Sequence, residues 1–177
     1  MFFSVKVKQI FITAIFTILF STFAFAQTAN RISDVQKKDF IALLKMLPVK
    51  GEFYTDEAID KSQSSLPVLF ALTEKDIENY DIYPFLALSR GLCDKQAHRD
   101  YAVSHFADIQ HPTLKLFWAA MLFDGKKNSS EIVRFLRESL KSEKQTKMLS
   151  EMLGPNYEDF QRRVKTYKEE KTKQRQT

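Results

Sequence analysis

Residues 111–140 read HPTLKLFWAAMLFDGKKNSSEIVRFLRESL. Proline is tolerated in the first turn of a helix and glycine often follows the last turn, so Pro112 and Gly125 mark the two ends of one helix. Asn128 or Ser129 then caps a second helix, whose apolar residues recur with helical spacing. This stretch therefore predicts two antiparallel helices joined by a short loop.

The rest of the chain after residue 32 carries the same helical pattern. Ser33 and Gln36 form a capping box, and the helix that they begin ends at Pro48. Further caps are predicted at Thr55, Thr73 and Asp81. Further helices are predicted over 82–92 and 95–109, with one ending near Leu153 and a last one starting at Asn156. No stretch alternates with period two for long enough to form a strand. The sequence predicts an all-α fold of seven or eight helices, with antiparallel helical hairpins stacked as a short α-solenoid or an irregular helical bundle.

The composition is that of one globular domain. The 177 residues are 44% hydrophobic and 28% charged, with 4 Gly, 5 Pro and 1 Cys, which argues against a disordered, collagen-like or disulfide-scaffold protein. The formal net charge is +5, and residues 161–177 alone contain seven Lys or Arg against two Glu. We therefore predict a helical domain over residues 27–160, followed by a basic helix end or tail over 161–177.

Residues 1–26 have the pattern of a cleaved secretory signal peptide. Two lysines precede an uncharged apolar run over residues 10–25, which closes with Ala24-Phe25-Ala26. Cleavage between Ala26 and Gln27 is predicted, and the mature protein is expected in a bacterial periplasm or outside the cell. The alternative is an uncleaved anchor, although the run is shorter than the ~20 residues that cross a bilayer.

The predicted export narrows the range of partners. Nucleic acid is not expected outside the cytoplasm, even though the positive charge of the tail would attract it. Weak contact of the basic tail with an anionic membrane surface, or with an acidic protein, is one interpretation, and a solvated helix end is the alternative. A protein partner is the main expectation. The oligomeric state is left open by the sequence.

Two predicted hairpins in the middle of the chain resemble each other. A shift of 31 residues places residues 101–109 on 132–140, and 86–88 on 117–119. A proline-led first helix with paired alanines, followed by a Leu-rich second helix, resembles a HEAT-like helical repeat over residues 82–141. The resemblance implies stacked helix pairs, and a plain helical bundle is the alternative.

Two histidines are candidate binding residues on the predicted helix over 95–109. At about 100° per residue, His98 and His105 fall within its apolar arc, but ~10 Å apart along the axis, too far to share one metal ion directly. The functional interpretation is a polar pocket or a pH-sensitive contact, with Asp94 or Asp108 orienting a ring. The alternative is two neutral rings, each bonded to a backbone carbonyl.

No sequence motif indicates an active site. The chain lacks a glycine-rich phosphate loop, a Gly-x-Ser-x-Gly elbow, a Cys-x-x-Cys pair and a His-Glu-x-x-His motif. Cys93 is the only thiol, so an internal disulfide is excluded. A buried inert side chain is favoured, an intermolecular disulfide is the next interpretation, and a nucleophile activated by histidine is the third. We predict no catalytic residue, no metal ligand and no cofactor.

The remaining candidate binding residues lie on two predicted helix faces, one aromatic and one charged. Trp118 lies in the richest aromatic patch, which is either a partner anchor or, with helical spacing in an Ala-rich helix, part of the core. Arg134 and Arg137 belong to a mixed-charge face, for which solvation is the ordinary interpretation. The candidate binding residues are therefore His98, His105, Trp118, Arg134 and Arg137.

These features favour an exported, non-catalytic helical module that binds a protein. Its specific form is an immunity or inhibitor protein that neutralises a partner protein in the same compartment. The first alternative is a small hydrolase using a cluster of histidine with Cys93, Asp94 or Asp108. The second is a carrier of an apolar small ligand, which requires a cavity of ~300 Å³ or more between helices.

Overall fold

A computed structural model describes residues 32–47, 49–50, 53–62 and 65–167. By its contacts the chain divides into two units, Met1–Ser33 and Asp34–Thr177, and every element below lies in the second unit. The predicted signal peptide lies outside the described residues. Within the described part, no helix has the length and apolar character needed to cross a membrane.

The all-α prediction is confirmed. The described residues form seven helices of nine or more residues, together with three shorter ones. They are α1 (Asp34–Met46), α2 (Asp56–Lys61), α3 (Leu66–Ala71), α4 (Glu74–Ile77), α5 (Tyr83–Cys93), α6 (Gln96–Ser104), α7 (Pro112–Asp124), α8 (Ser130–Ser139), α9 (Glu143–Leu153) and α10 (Tyr157–Thr166).

A small β-hairpin that the sequence did not predict follows α1. Strands β1 (Val49–Lys50) and β2 (Phe53–Tyr54) pair antiparallel, with Val49 opposite Tyr54 and Lys50 opposite Phe53. Each of these strands has only two residues, which is too short for an alternation of apolar and polar side chains to be recognised in the sequence.

Most helix ends follow the predicted local chemistry. The hydroxyls of Thr55 and Ser129 accept from the backbone N–H groups of Ala58 and Ile132. Thr73 forms a capping box with Asp76 at the start of α4. A side-chain acceptor at these positions satisfies an N–H group that has no partner within the helix.

Helix α7 lies at the centre of the core. Seven of its 13 residues are buried, Trp118 completely, and the helix packs against α5, α6, α8 and α9. A helix that is apolar all round is stable only when other elements cover it. Pro112 and Gly125 bound α7 as the sequence predicts.

The helices of the middle region pack as two hairpins. Helix α5 packs against α6, α7 packs against α8, and the two first helices, α5 and α7, pack against each other. The predicted hairpins are therefore present. The resemblance to a HEAT-like repeat stays a prediction.

The helix predicted over residues 95–109 is shorter in the structure. Helix α6 ends at Ser104, and a 3₁₀ turn follows over Phe106–Asp108. At His105 the backbone N–H donates to the carbonyl of Tyr101, and the ring Nδ1 lies 3.0 Å from the same oxygen. The turn carries Phe106 into the core, where its side chain is buried. Burial of this side chain accounts for the break in the helical period.

Helix α10 crosses residue 160, where the folded domain was expected to end. Phe160 and Val164 on this helix are both buried. Residues 161–166, in the segment predicted to be a basic helix end or tail, are therefore part of this helix. Residues 168–177 lie outside the described part.

Candidate binding groove

A half-open groove of about 340 Å³ lies between α1, β2 and the start of α5. It is lined by Ile41, Leu44, Lys45, Leu47, Tyr54, Tyr80, Asp81, Pro84 and Phe85. Seven of these nine residues are apolar or aromatic, and the two charged ones are Lys45 and Asp81. Ligand sites in proteins are concave, mostly apolar and supplied with a few polar groups, and this groove has that character.

The helical period of α1 builds one wall of the groove. Ile41 and Leu44 are buried, whereas Lys45 is exposed. The Lys45 ammonium lies 4.4 Å from the centre of the Tyr80 ring, a cation–π contact across the groove edge. This contact between Lys45 and Tyr80 joins α1 to the segment before α5 at one edge of the groove.

The hairpin supplies a second wall through Tyr54. Its hydroxyl donates to the carbonyl of Leu44 at 3.3 Å, which attaches β2 to α1. Burial raises the pKa of Tyr54 above its ordinary value of 10.0, so the hydroxyl is a neutral donor at physiological pH. The third wall consists of Asp81 and the first turn of α5. The carboxylate of Asp81 accepts a hydrogen bond at 3.0 Å from the N–H of Tyr83, the first residue of that helix.

The exposed large hydrophobic side chains lie on segments that also supply groove walls, and one of them, Tyr80, lines the groove itself. In the described part of the chain there are five: Val35, Leu43, Met46, Tyr80 and Tyr83. The first three belong to α1, and the tyrosines flank Asp81; Met46 is 81% and Tyr83 72% exposed. These are two of the three segments that supply groove walls, the third being the hairpin. Among the residues whose side chains the structure describes, no other large hydrophobic side chain is exposed.

The two predicted histidines are bonded to backbone carbonyls instead of forming a pocket. His98 is buried, with Nδ1 3.0 Å from the carbonyl oxygen of Leu92. His105 caps the end of α6, with Nδ1 at the carbonyl of Tyr101 and its ring stacked on the Tyr101 ring at 4.0 Å. Neither ring is oriented by Asp94 or Asp108, and neither lines the groove.

The Cys93 thiol lies in the core. The residue is 3% exposed, and burial raises the thiol pKa to about 11, which the positive charge of Arg99 offsets only in part. A thiol with this pKa is almost entirely protonated at neutral pH and is a poor nucleophile. In the described segments, no three His, Cys, Asp or Glu side chains are grouped so as to hold a metal ion.

Trp118 and Arg137 have structural contacts. Trp118 is fully buried and packs edge-on against Phe70, with ring centres 5.3 Å apart, so it offers no surface to a partner. Arg137 is exposed, but its guanidinium donates to the carbonyls of Val164 and Tyr167 at the end of α10. Arg134 is exposed on the same helix, α8. The structure does not bring the predicted residues together.

The groove residues were not identified from the sequence, and the one unusual feature of α1 lies on another face of the helix. In α1 the apolar residues exceed one stripe, since Leu43 and Met46 lie outside the buried face of Phe40, Ile41 and Leu44. Surplus apolar residues on an amphipathic helix indicate a second contact surface.

No protein-family model matches this sequence, and neither a curated protein nor a solved structure matches it. Function has therefore to be inferred from the geometry of the groove.

Proposed function

We propose that this protein is a non-catalytic binding module that holds an apolar or aromatic segment of a partner protein in the groove. One observation carries the proposal: among the residues whose side chains the structure describes, all five exposed large hydrophobic ones lie on two of the three segments that wall the groove. Large hydrophobic side chains that are exposed near a concave apolar surface are typical of interaction sites.

The residue types around the groove suit recognition of a protein. Tyrosines and methionines are enriched at the centres of protein interfaces, where a few buried aromatic anchors carry most of the binding free energy. Tyr80, Tyr83 and Met46 supply such anchors. Lys45 and Asp81 carry opposite charges on the lining, which favours one orientation of the bound segment.

The histidine and cysteine side chains predicted for a hydrolase are not found at the groove. A hydrolase needs an acid, a base or a nucleophile beside a cavity, with its ionisation tuned to the reaction. Neither the two predicted histidines nor Cys93 lines the groove, and the thiol pKa is raised by burial. We therefore place the alternative of a small hydrolase behind binding.

We further propose that binding takes place outside the cytoplasm. The signal-like pattern of residues 1–26 supports export to a bacterial periplasm. A small exported helical protein with an open recognition groove suits an immunity or inhibitor protein that neutralises a partner in that compartment. Fractionation of cells expressing the full chain tests the export, with an N-terminus at Gln27 as the expected product.

Affinity capture from the cell envelope tests the binding site. Three forms of the mature protein serve as bait: the unchanged protein, Tyr83→Ser and Lys144→Ser. Lys144 is the control because it is exposed on α9 and does not line the groove. We expect one stoichiometric protein with the unchanged bait and with Lys144→Ser, and at least a tenfold loss with Tyr83→Ser. Equal recovery with all three baits would overturn the proposed site.

A carrier of an apolar small ligand is the second candidate, favoured by the groove volume of about 340 Å³. A small ligand would be held by the buried walls and not by Tyr83, which is 72% exposed. An apolar fluorescent dye distinguishes the two functions. A carrier would bind the dye equally well with Tyr83→Ser and lose it with Lys45→Trp, which fills the groove mouth.

A further inference from the structure

The three histidines of the chain differ in what faces Nδ1 of the ring. In His98 and His105 the neighbour is a backbone carbonyl oxygen at 3.0 Å. A carbonyl only accepts, so in each of these rings Nδ1 carries a proton and donates it. Neither bond depends on Nδ1 being free of a proton.

His111 has the opposite arrangement. Its Nδ1 accepts from the backbone N–H groups of Thr113 at 3.2 Å and Leu114 at 3.5 Å. Because an N–H group only donates, this nitrogen is unprotonated, and the neutral ring carries its proton on Nε2. The imidazole is the N-terminal cap of α7. A cation here would lose both bonds and lie at the positive end of the helix dipole.

The local sequence places His111 in this role. Helical backbone angles are disfavoured for a residue before proline, and His111 has φ −76° and ψ 122°, the extended conformation of a cap. Its own carbonyl accepts the first helical bond, from Lys115 at 2.9 Å. The preceding residue, Gln110, is held by a bond from its N–H to the carbonyl of Phe70 at 2.8 Å. The ring therefore has a fixed position.

The surroundings of His111 favour the neutral ring. The residue is only 7% exposed, so water cannot readily replace the cap. Burial lowers the pKa of His111 below its ordinary value, and the negative charge of Glu74 on α4 opposes this in part.

We propose that His111 is an acid-sensitive switch in the fold, in which uptake of one proton removes the cap of α7 and loosens its first turn. A histidine whose pKa is lower in the folded protein takes up its proton more readily when unfolded. The stabilisation is therefore complete above the unfolded pKa near 6.5 and is lost as the pH falls through the folded value. In that interval the unfolding equilibrium constant rises by up to about tenfold per pH unit.

Urea unfolding between pH 5 and pH 8 tests the switch in the mature protein. We expect the unchanged protein and His98→Gln to lose stability towards pH 5. We expect His111→Asn, whose amide oxygen caps without titrating, to lose several-fold less over the same interval. Equal pH dependence of the unchanged protein and His111→Asn would overturn the proposal.

Nuclear magnetic resonance of the unchanged protein gives a second readout that does not depend on a variant folding. We expect the ring of His111 to titrate below pH 6.5, and the amide protection factors of Thr113 and Leu114 to fall along the same curve. Titration at or above 6.5, or protection that is constant across the titration, would contradict the switch.

Discussion

The ammonium of Lys37 lies 2.8 Å from Oδ2 of Asp76, and this ion pair joins α1 to α4. The same carboxylate accepts from the backbone N–H and the hydroxyl of Thr73, which completes the capping box. The side chains of Lys37 and Asp76 are only 14% and 21% exposed. Since α1 forms a wall of the groove, this contact fixes the position of that wall against the domain.

We expect Asp76→Ala to lower the free energy of unfolding by about 1–2 kcal/mol, because it removes a helix cap together with the ion pair. Lys37→Met is expected to cost less, since Asp76 keeps both bonds to Thr73. Urea denaturation measures the two costs. Equal costs would show that the carboxylate stabilises the protein through Lys37 alone.

The surroundings of Asp76 lead us to expect a second interval of pH-dependent stability, at lower pH than the one proposed for His111. Burial raises the pKa of Asp76, but the hydrogen bonds from Lys37 and Thr73 outweigh it, so the pKa lies below its ordinary value of 3.8. The stabilisation is present above the unfolded pKa and is lost as the pH falls through the folded one. We expect Asp76→Asn to flatten stability below pH 4 and to leave the interval around pH 6 unchanged, as measured by urea unfolding at each pH.

Gly91→Ala is expected to destabilise the protein by about 1 kcal/mol, although alanine is the better helix former. A Cβ at residue 91 would lie 2.4 Å from Cδ1 and 2.9 Å from Cγ1 of Ile59, which is buried where α2 packs on α5. Ile59→Val removes the nearer atom. In a double-mutant cycle the pair should cost less than the sum of the single changes, and strict additivity would contradict the close contact.

The Cys93 thiol is expected to react slowly with Ellman's reagent in native buffer at pH 8 and rapidly in denaturant. The residue is 3% exposed and its pKa is raised to about 11, so both access and thiolate fraction are small in the folded protein. Absorbance of the released thiolate gives the rate. Fast stoichiometric labelling without denaturant would show an accessible thiol.

Arg137→Ala is expected to lower stability by about 1 kcal/mol and to speed amide exchange in the last turn of α10. Its guanidinium donates to the carbonyls of Val164 at 3.2 Å and Tyr167 at 2.6 Å, where a positive charge also complements the helix dipole. Arg134→Ala, on the same helix, is the matched control and should change neither quantity. Similar effects of both substitutions would indicate a general effect of charge on α8.

The helices were predictable because their signals are local. Pro112 and Gly125 bound α7 as expected, and Thr55, Thr73 and Ser129 cap their helices. A cap acts within three or four residues, so its chemistry can be read from the sequence. The end of α6 was misplaced because the packing of Phe106 into the core outweighs the helical period around His105.

The candidate site was not predictable in the same way. A pattern of apolar residues shows that a side chain has an apolar surrounding, but not whether this is the core or a groove. Trp118 and Tyr83 are both large aromatic residues on helices, yet one is fully buried and the other is 72% exposed. His111 was overlooked because a histidine that caps a helix is recognised only when its position before Pro112 is considered together with the donors that follow.

The amino-acid order alone determined the helical class, the ends of most helices and the lack of an internal disulfide, because each depends on neighbouring residues or on composition. Tertiary structure decided which apolar faces are covered, which histidine accepts a hydrogen bond and which cation joins two helices. These properties depend on contacts between residues far apart in the chain, such as Lys37 with Asp76 and Arg137 with Val164. Local pattern carries no information on such pairs until the helices have packed.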